Sequence, residues 1–179
     1  MKTTATTNLV LSGLFLGLGL VLPFLTAQIP EIGSKLLPMH IPVLLCGFFC
    51  GARSGLLVGF ITPLLRSILF GMPVMFPMAV SMAFELAAYG FVAGLLYHIL
   101  PSKKISIYVA LIASMLCGRL VWGVVCYVLF GLNGTAFTWQ IFTAGAFINA
   151  IPGIIIQLVL IPLIVLAAER YQPVKHEAY

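Results

Sequence analysis

The sequence predicts an all-α membrane protein, a compact bundle of six transmembrane helices. Of its 179 residues, 62% are hydrophobic and only 7% are charged, and the mean hydropathy is +1.18. Soluble domains carry about 25% charged residues, so this chain has too little polar surface to cover itself in water. The apolar residues also fall into runs separated by glycine, proline or charge, which is the pattern of membrane spans.

Six runs are predicted to be spans of a single domain covering residues 1–179. The first is interpreted as a retained helix, because no basic segment and Ala-x-Ala site frame it as a cleaved leader. The second and third are short and separated only by Gly-Ala-Arg-Ser-Gly, which predicts either a tight helical hairpin or a pair in which one span is tilted or broken. The last contains Pro152 and Pro162, so we expect it to be kinked or to begin as an outer loop. The runs cover residues 8–25, 38–51, 54–70, 78–100, 106–130 and 139–168.

The lysine and arginine residues between the spans predict that both termini lie in the cytoplasm. Six of them fall on one side of the membrane, and only Lys35, near Glu31, falls on the other. Positive charge is enriched on the cytoplasmic side of membrane proteins. The six are Lys2, Arg53, Lys103, Lys104, Arg170 and Lys175.

Charged and polar residues inside the spans mark the candidate site. Glu85 stands in the middle of an apolar run, in "SMAFELAAYGF" (81–91), where a carboxylate is costly to bury. Ser81 and Tyr89 share its helical face. With the predicted orientation, these groups concentrate in the outer half of the membrane, where four helices are expected to face one cavity open to the outside. The candidate substrate-binding residues are Glu85, Arg119, Arg66, Asn149, Tyr89, Trp122, His40 and Trp139.

Each candidate also has a structural interpretation that the sequence leaves open. Glu85 pairs either with Arg66 or with Arg119 to hold two helices together, or it contacts substrate. Trp139 is either a ligand contact or an interfacial aromatic, and Asn149 is either a ligand contact or a hydrogen bond between helices. His40 is either a ligand contact or an interfacial residue, and Tyr89 and Trp122 either contact the ligand or pack between helices. Two arginines and one glutamate leave a net positive site, which suits a carboxylate or a phosphate.

Two further patterns concern the outer side. A small and polar stripe of residues recurs every four positions in the last span. The segments 26–38, 71–77 and 131–139 are rich in glycine and proline, so they are either lids over the cavity or plain connections. The stripe consists of Gly145, Asn149, Gly153 and Gln157.

The sequence argues against several other classes of protein. The four cysteines fit buried thiols better than a metal or redox site, the basic residues are too scattered for nucleic acid, and no cofactor is predicted. No phosphate-binding G-x-x-x-x-G-K-[ST] motif is present, so ATP hydrolysis would need a partner. The chain has no aspartate and no H-x-x-x-H motif, which disfavours an intramembrane enzyme. A small channel or solitary facilitator remains an alternative.

Residues 37–71, "LPMHIPVLLCGFFCGARSGLLVGFITPLLRSILFG", resemble a known family. They are similar to the second and third helices of the substrate-binding S components of energy-coupling factor (ECF) vitamin transporters, which are joined by a Gly-Pro-x-x-Gly-x-x-x-Gly turn. Here that turn reads Gly51, Ala52, Gly55 and Gly59, with alanine in place of proline, and Pro63 stands where several relatives carry a polar or acidic residue. "FELAAYGFVAGLLY" (84–97) resembles the fourth helix of the family.

The resemblance implies a transport protein of the prokaryotic cell membrane and not an enzyme. Such a protein captures a vitamin from outside, docks onto a transmembrane coupling protein that carries two cytoplasmic ATPases, and topples to release its cargo. Relatives dock through Ala-x-x-x-Ala on the first helix. The matching place here is "SGLFLGLG", with Gly13 and Gly17 four residues apart. Among the family's cargoes, niacin, pantothenate or another carboxylate-bearing vitamin fits, and a nucleoside-like precursor remains open.

Overall fold

The chain forms a bundle of helices in a computed structural model that describes residues 5–26, 35–101, 103–132 and 138–171. Parts of the predicted outer loops, at 27–34 and 133–137, lie outside the described residues, as do Lys2 and Lys175. No strand occurs in the described ranges. The protein is therefore all-α, as predicted.

The first half of the chain forms three helices. Helix α1 (Ala5–Val21) runs into a 3₁₀ turn (Leu22–Thr26) that contains Pro23. Helix α2 (His40–Cys50) has only 11 residues, and α3 (Ala52–Phe70) follows at once. The predicted hairpin thus turns on Gly51, whose φ of 87° is accessible to glycine but rarely to other residues.

The second half begins with a single π turn (Met75–Ala79) that leads into α4 (Val80–Ile99). Helix α5 covers Lys104–Leu132. A short helix α6 (Trp139–Thr143) and a second π turn (Ala144–Ile148) precede α7 (Ile151–Tyr171). The last predicted span is therefore broken just before Pro152, which lies in the first turn of α7, where a proline is well tolerated.

Five helical stretches in the described ranges are long and apolar enough to cross a bilayer. Helix α2 is not among them, because 11 residues span about 16 Å of a hydrocarbon core that is about 30 Å thick. The five stretches are Ala5–Leu25, Ala52–Phe70, Met75–Ile99, Lys104–Leu132 and Trp139–Arg170. Leu120, Val124 and Leu163 are among many exposed apolar side chains on these helices, as expected for surfaces that face lipid.

Helix α4 lies at the centre of the bundle and packs against α2, α3 and α5. Glycines bring α3 and α4 together, because a Cβ added to Gly55 would lie 2.5 Å from the Gly90 carbonyl oxygen, and one added to Gly59 would lie 2.3 Å from the Leu86 carbonyl oxygen. The glycine spacing of the hairpin motif therefore serves close helix packing. Helix α1 packs on α2 and α3, while α7 packs on α2 and α5. Among these helices, α2 is the most enclosed, with Pro42 and every residue from Val43 to Phe48 buried.

Candidate functional site

A buried ion pair joins α4 to α5. Glu85 is 2% exposed and Arg119 is 5% exposed, and Arg119 Nη1 donates a hydrogen bond of 2.8 Å to Glu85 Oε1. Gly118 allows this approach, since a Cβ there would lie 2.1 Å from the Tyr89 ring and 3.2 Å from the Glu85 carbonyl oxygen. Of the two partners that the sequence left open for Glu85, the structure selects Arg119. The pairing compensates much of the cost of burying each charge alone.

His40 and Tyr89 complete a four-residue group around the ion pair. His40 Nε2 lies 3.4 Å from Glu85 Oε1, and the His40 and Tyr89 rings meet edge to face with centroids 5.0 Å apart. His40 opens α2, and Glu85 lies in the second turn of α4. The group therefore sits toward the end of the bundle where these two helices begin. We call His40, Glu85, Tyr89 and Arg119 the polar cluster.

The polar cluster has more hydrogen-bonding groups than it uses. Within the described part of the chain, Arg119 Nε and Nη2, both ring nitrogens of His40 and the Tyr89 hydroxyl are buried without a hydrogen-bond partner. Buried polar atoms are nearly always satisfied by protein, water or ligand, because leaving them unpaired is costly. The cluster is therefore prepared for polar partners that the chain itself does not supply.

A half-open cavity adjoins the cluster between α4, α5 and α7, and two of its wall residues, Ile112 and Leu116, are 47% and 51% exposed. Its volume is about 310 Å³, and Tyr89 and Arg119 form part of its wall. The remaining wall is apolar. It consists of Ile112, Met115, Leu116, Ile154 and Leu158. Small-molecule sites commonly combine such an apolar wall with a few polar groups.

Gln157 is a further candidate, which the sequence placed in a stripe but not in the site. It is fully buried on α7, and both its amide atoms are without a hydrogen-bond partner among the described residues. Its neighbours Ile154 and Leu158 line the cavity. The signal available in the sequence was that Gln157 is the only polar residue within the apolar run 153–168.

Arg66 lies apart from the polar cluster. It is 2% exposed and donates a hydrogen bond to the Leu20 carbonyl at the end of α1. Its guanidinium carbon also lies 4.8 Å from the Phe24 ring centroid and 5.4 Å from that of Phe70. The polar face of α3 therefore packs on α1 instead of facing the shared cavity that we expected. The physical reason is that Gly19 of α1 leaves room for this face, and the carbonyl end of α1 needs donors.

Of the remaining candidates, Trp122 lies on α5, and Trp139 and Asn149 lie in the segment that leads to α7. Trp122 and Trp139 both pack against Phe142, at centroid distances of 6.3 Å and 5.2 Å, and Trp139 is 75% exposed. Asn149 is exposed in the turn between the second π turn and α7. The expected stripe is thus interrupted, because the break in the helix at residues 144–150 removes its four-residue periodicity.

Gly13 and Gly17 on α1 do not pack against other helices in the described part of the chain. A Cβ added to either glycine would meet none of the described residues within 4 Å, in contrast to Gly19 on the same helix, where it would lie 2.7 Å from Thr62. The two glycines therefore leave a shallow strip on the outer surface of α1.

Comparison with known families identifies the chain. The profile of the family "ECF transporter, substrate-specific component" matches residues 7–165. The chain belongs to this family. Searches of curated proteins and of solved structures returned no match. The protein is thus a multi-pass membrane protein and the substrate-binding component, or S component, of an ECF importer.

Family membership agrees with the resemblance drawn from residues 37–71. S components bind substrate and associate with an ECF module, which supplies the coupling protein and the ATPases. They are transport subunits and not enzymes. Membership does not specify the substrate, so the identity of the cargo has to be argued from the polar cluster and the cavity.

Proposed function

We propose that this S component captures a small, water-soluble, anionic vitamin or related micronutrient from outside the cell. The substrate occupies the cavity between α4, α5 and α7 and bonds to the polar cluster. Uptake is energised by two cytoplasmic ATPases acting through a transmembrane coupling protein.

One observation carries this proposal, namely that a buried arginine paired with Glu85 keeps unused donors next to an otherwise apolar cavity. A purely structural ion pair would be expected to have its hydrogen-bonding groups satisfied by the surrounding protein. Arg119 instead uses Nη1 on Glu85 and leaves Nε and Nη2 without a partner among the described residues. We assign Arg119 to direct substrate binding and Glu85 to holding it in position.

The distribution of positive charge supports an orientation with both termini in the cytoplasm. Arg53 lies at the turn between α2 and α3, Lys103 lies between α4 and α5, and Arg170 ends α7, so all three are at one end of the bundle. Lys35 lies before α2, toward the opposite end. By the positive-inside rule, the first end is cytoplasmic, and the polar cluster then lies in the outer half of the membrane.

We give the other candidate residues secondary roles. Trp139 and Asn149 belong to the segment that leads to α7, and Trp122 on α5 packs against Phe142 of that segment. We propose that these three residues border the entrance to the cavity. Arg66 is proposed to hold the outer end of α1 against α3 without touching the substrate. Its contacts with Leu20, Phe24 and Phe70 support this role.

Docking onto the coupling protein is proposed to use Gly13 and Gly17. Both are open to the surface, and small residues four apart let helices approach closely. We expect Gly13→Leu and Gly17→Leu to abolish co-purification with the ECF module while substrate affinity stays unchanged. Gly131→Leu is the matched control, because Gly131 on α5 is equally open. Loss of the complex in the control, or its survival in both α1 variants, would refute this docking site.

The test of the function is substrate uptake in cells that express the chain with and without an ECF module. The substrate is first identified by mass spectrometry of the small molecule that co-purifies with the detergent-solubilised protein. We expect uptake only when the module is present and its ATPases are active. Uptake by the chain alone would indicate a solitary facilitator or channel, and chemical conversion of the molecule would indicate an enzyme.

A further inference from the structure

The donors that Arg119 leaves free form one edge of its guanidinium group. Nη1 is bound to Glu85 Oε1, whereas Nε and Nη2 have no partner among the described residues. The N–H groups of Nε and Nη2 point in parallel from the same side of the planar group. This edge matches the two oxygens of a carboxylate in a bidentate arrangement.

The charge of the cluster limits the charge of its ligand. The positive charge of Arg119 is already balanced by Glu85. Further titratable groups near the carboxylate are His40, Tyr89 and Cys126. A dianionic phosphate would leave two uncompensated charges in a region of low dielectric constant, whereas a carboxylate leaves one. A cationic ligand would be repelled by Arg119 and would have to compete with it for Glu85, with which Arg119 is already paired. Among charged ligands, the cluster therefore favours one with a single negative charge.

The cavity limits the size and polarity of the rest of the ligand. Its volume of about 310 Å³ is near the lower end of the range for small-molecule sites, roughly 300–1,000 Å³. Apart from Tyr89 and Arg119, its wall is made of isoleucine, leucine and methionine side chains. A sugar or a nucleotide would bury hydroxyl groups against this wall without hydrogen bonds, at a cost for each group. A single ring or a short chain fits.

We propose that the substrate is a small monocarboxylate with a largely apolar body, and this inference rests on the proposed function. Its carboxylate binds the Nε and Nη2 edge of Arg119, with the Tyr89 hydroxyl within the same group of donors. Its apolar body lies against Met115, Ile154 and Leu158. From the sequence, two arginines and one glutamate inside the spans were compatible with a ligand that carries either a carboxylate or a phosphate. The arrangement of the polar cluster favours the carboxylate.

Binding includes a local rearrangement at the wall of the cavity. Nε and Nη2 of Arg119 are covered by neighbouring atoms, while the cavity begins at the side chains of Arg119 and Tyr89. The carboxylate therefore reaches the free edge when one of these two side chains moves. Once there, it is shielded from water, which strengthens the charged hydrogen bonds.

A matched set of probes tests the head group of the ligand. Benzoate, benzamide, benzylamine and phenylphosphonate share one apolar ring and differ in charge and hydrogen bonding. At mildly alkaline pH, where phenylphosphonate is a dianion and benzylamine is still a cation, we expect purified wild-type protein to bind benzoate at least about tenfold more tightly than the other three. Under these conditions, the benzoate carboxylate alone meets the arginine edge with a single negative charge. Equal or tighter binding of the amide, amine or phosphonate, or no binding of benzoate, would overturn the proposal.

Two conservative variants assign this preference to one arginine. Arg119→Lys keeps a positive charge for Glu85 but lacks the two-pronged edge, so we expect the preference for benzoate to fall to below about threefold. Arg66→Lys makes the same change at the other buried arginine and is expected to keep the full preference. A preference that survives in Arg119→Lys would overturn the assignment.

The identity of the co-purifying molecule separates this inference from the proposed function. We expect that molecule to form a single methyl ester on treatment with a carboxylate-methylating reagent and to contain no phosphorus. A molecule without a carboxylate whose uptake still depends on the ECF module would refute the substrate class and leave the function standing. Uptake independent of the module, with a monocarboxylate bound, would refute the function instead.

Discussion

The two buried arginines of this protein lie in different surroundings. Arg66, near the end of α3, is 2% exposed, and Arg119, within α5, is 5% exposed. Arg66 bonds to a backbone carbonyl of α1 and lies over two phenylalanine rings. Arg119 bonds to the Glu85 carboxylate and adjoins a cavity.

The difference separates two uses of a charge inside a membrane protein. The contacts of Arg66 are a helix end and aromatic faces, both of which belong to the fold and are always present. The contacts of Arg119 include the Glu85 carboxylate but leave one edge of its guanidinium group without a partner among the described residues. We infer that Arg66 stabilises the fold and that Arg119 serves substrate binding, and the predictions below test this division.

The largest effect on stability is expected from Arg119→Ala. Removing the arginine leaves Glu85 buried without its countercharge, which costs about 3–5 kcal/mol in comparable buried pairs. The double variant Glu85→Gln with Arg119→Gln removes both charges and should recover most of this loss. Unfolding of the purified protein in detergent, followed by circular dichroism, measures both values. A double variant no more stable than Arg119→Ala would show that the pair is not the cause.

This pairing also marks how far the sequence could predict the site. Helical periodicity identified Glu85, Tyr89 and Arg119 as polar positions inside spans, because it specifies which residues share a face of one helix. It could not specify which neighbouring helix that face meets. The choice between Arg66 and Arg119 depended on Gly19, which lets α1 cover the polar face of α3.

The fold shows the same division between local and long-range information. The hydropathy of the chain predicted a helix at every span and a short helix at the second span, because the length of an apolar run can be read from the local sequence. Pro152 let the sequence predict a kink or an outer loop at the start of the last span, where the break at residues 144–150 is found. The fully buried amide of Gln157 depends instead on how α7 packs against α2 and α5. Such tertiary contacts are not encoded in a periodic pattern within one segment.

A smaller effect on stability is expected from Arg66→Ala. The variant loses a charged hydrogen bond to the Leu20 carbonyl, and such bonds contribute about 1.5–3 kcal/mol. Substrate affinity should stay within about twofold of wild type, because the contacts of Arg66 with the described residues do not involve the polar cluster. Unfolding in detergent and equilibrium binding of the co-purified substrate measure the two quantities. A large loss of affinity with unchanged stability would place Arg66 in the binding site and break the comparison.

The smallest effect is expected from Phe70→Leu. This substitution keeps an apolar side chain but removes one of the two rings beside Arg66, and a cation–π contact of this kind contributes about 0.5–1 kcal/mol. Phe91→Leu on α4 is a matched control, because Phe91 is 37% exposed and Phe70 is 42% exposed. The expected result is a greater loss of stability at Phe70 than at Phe91. Equal losses would mean that the ring does not support Arg66.

The dissociation constant of the co-purified substrate, measured for Arg119→Lys and Arg66→Lys side by side, tests the division between the two arginines most directly. Both variants keep the positive charge and lose only the planar fork. We predict about 100-fold weaker binding for Arg119→Lys, equivalent to the loss of one to two charged hydrogen bonds, and a change of less than about threefold for Arg66→Lys. Similar affinities for the two variants, or the larger loss at Arg66, would contradict the account.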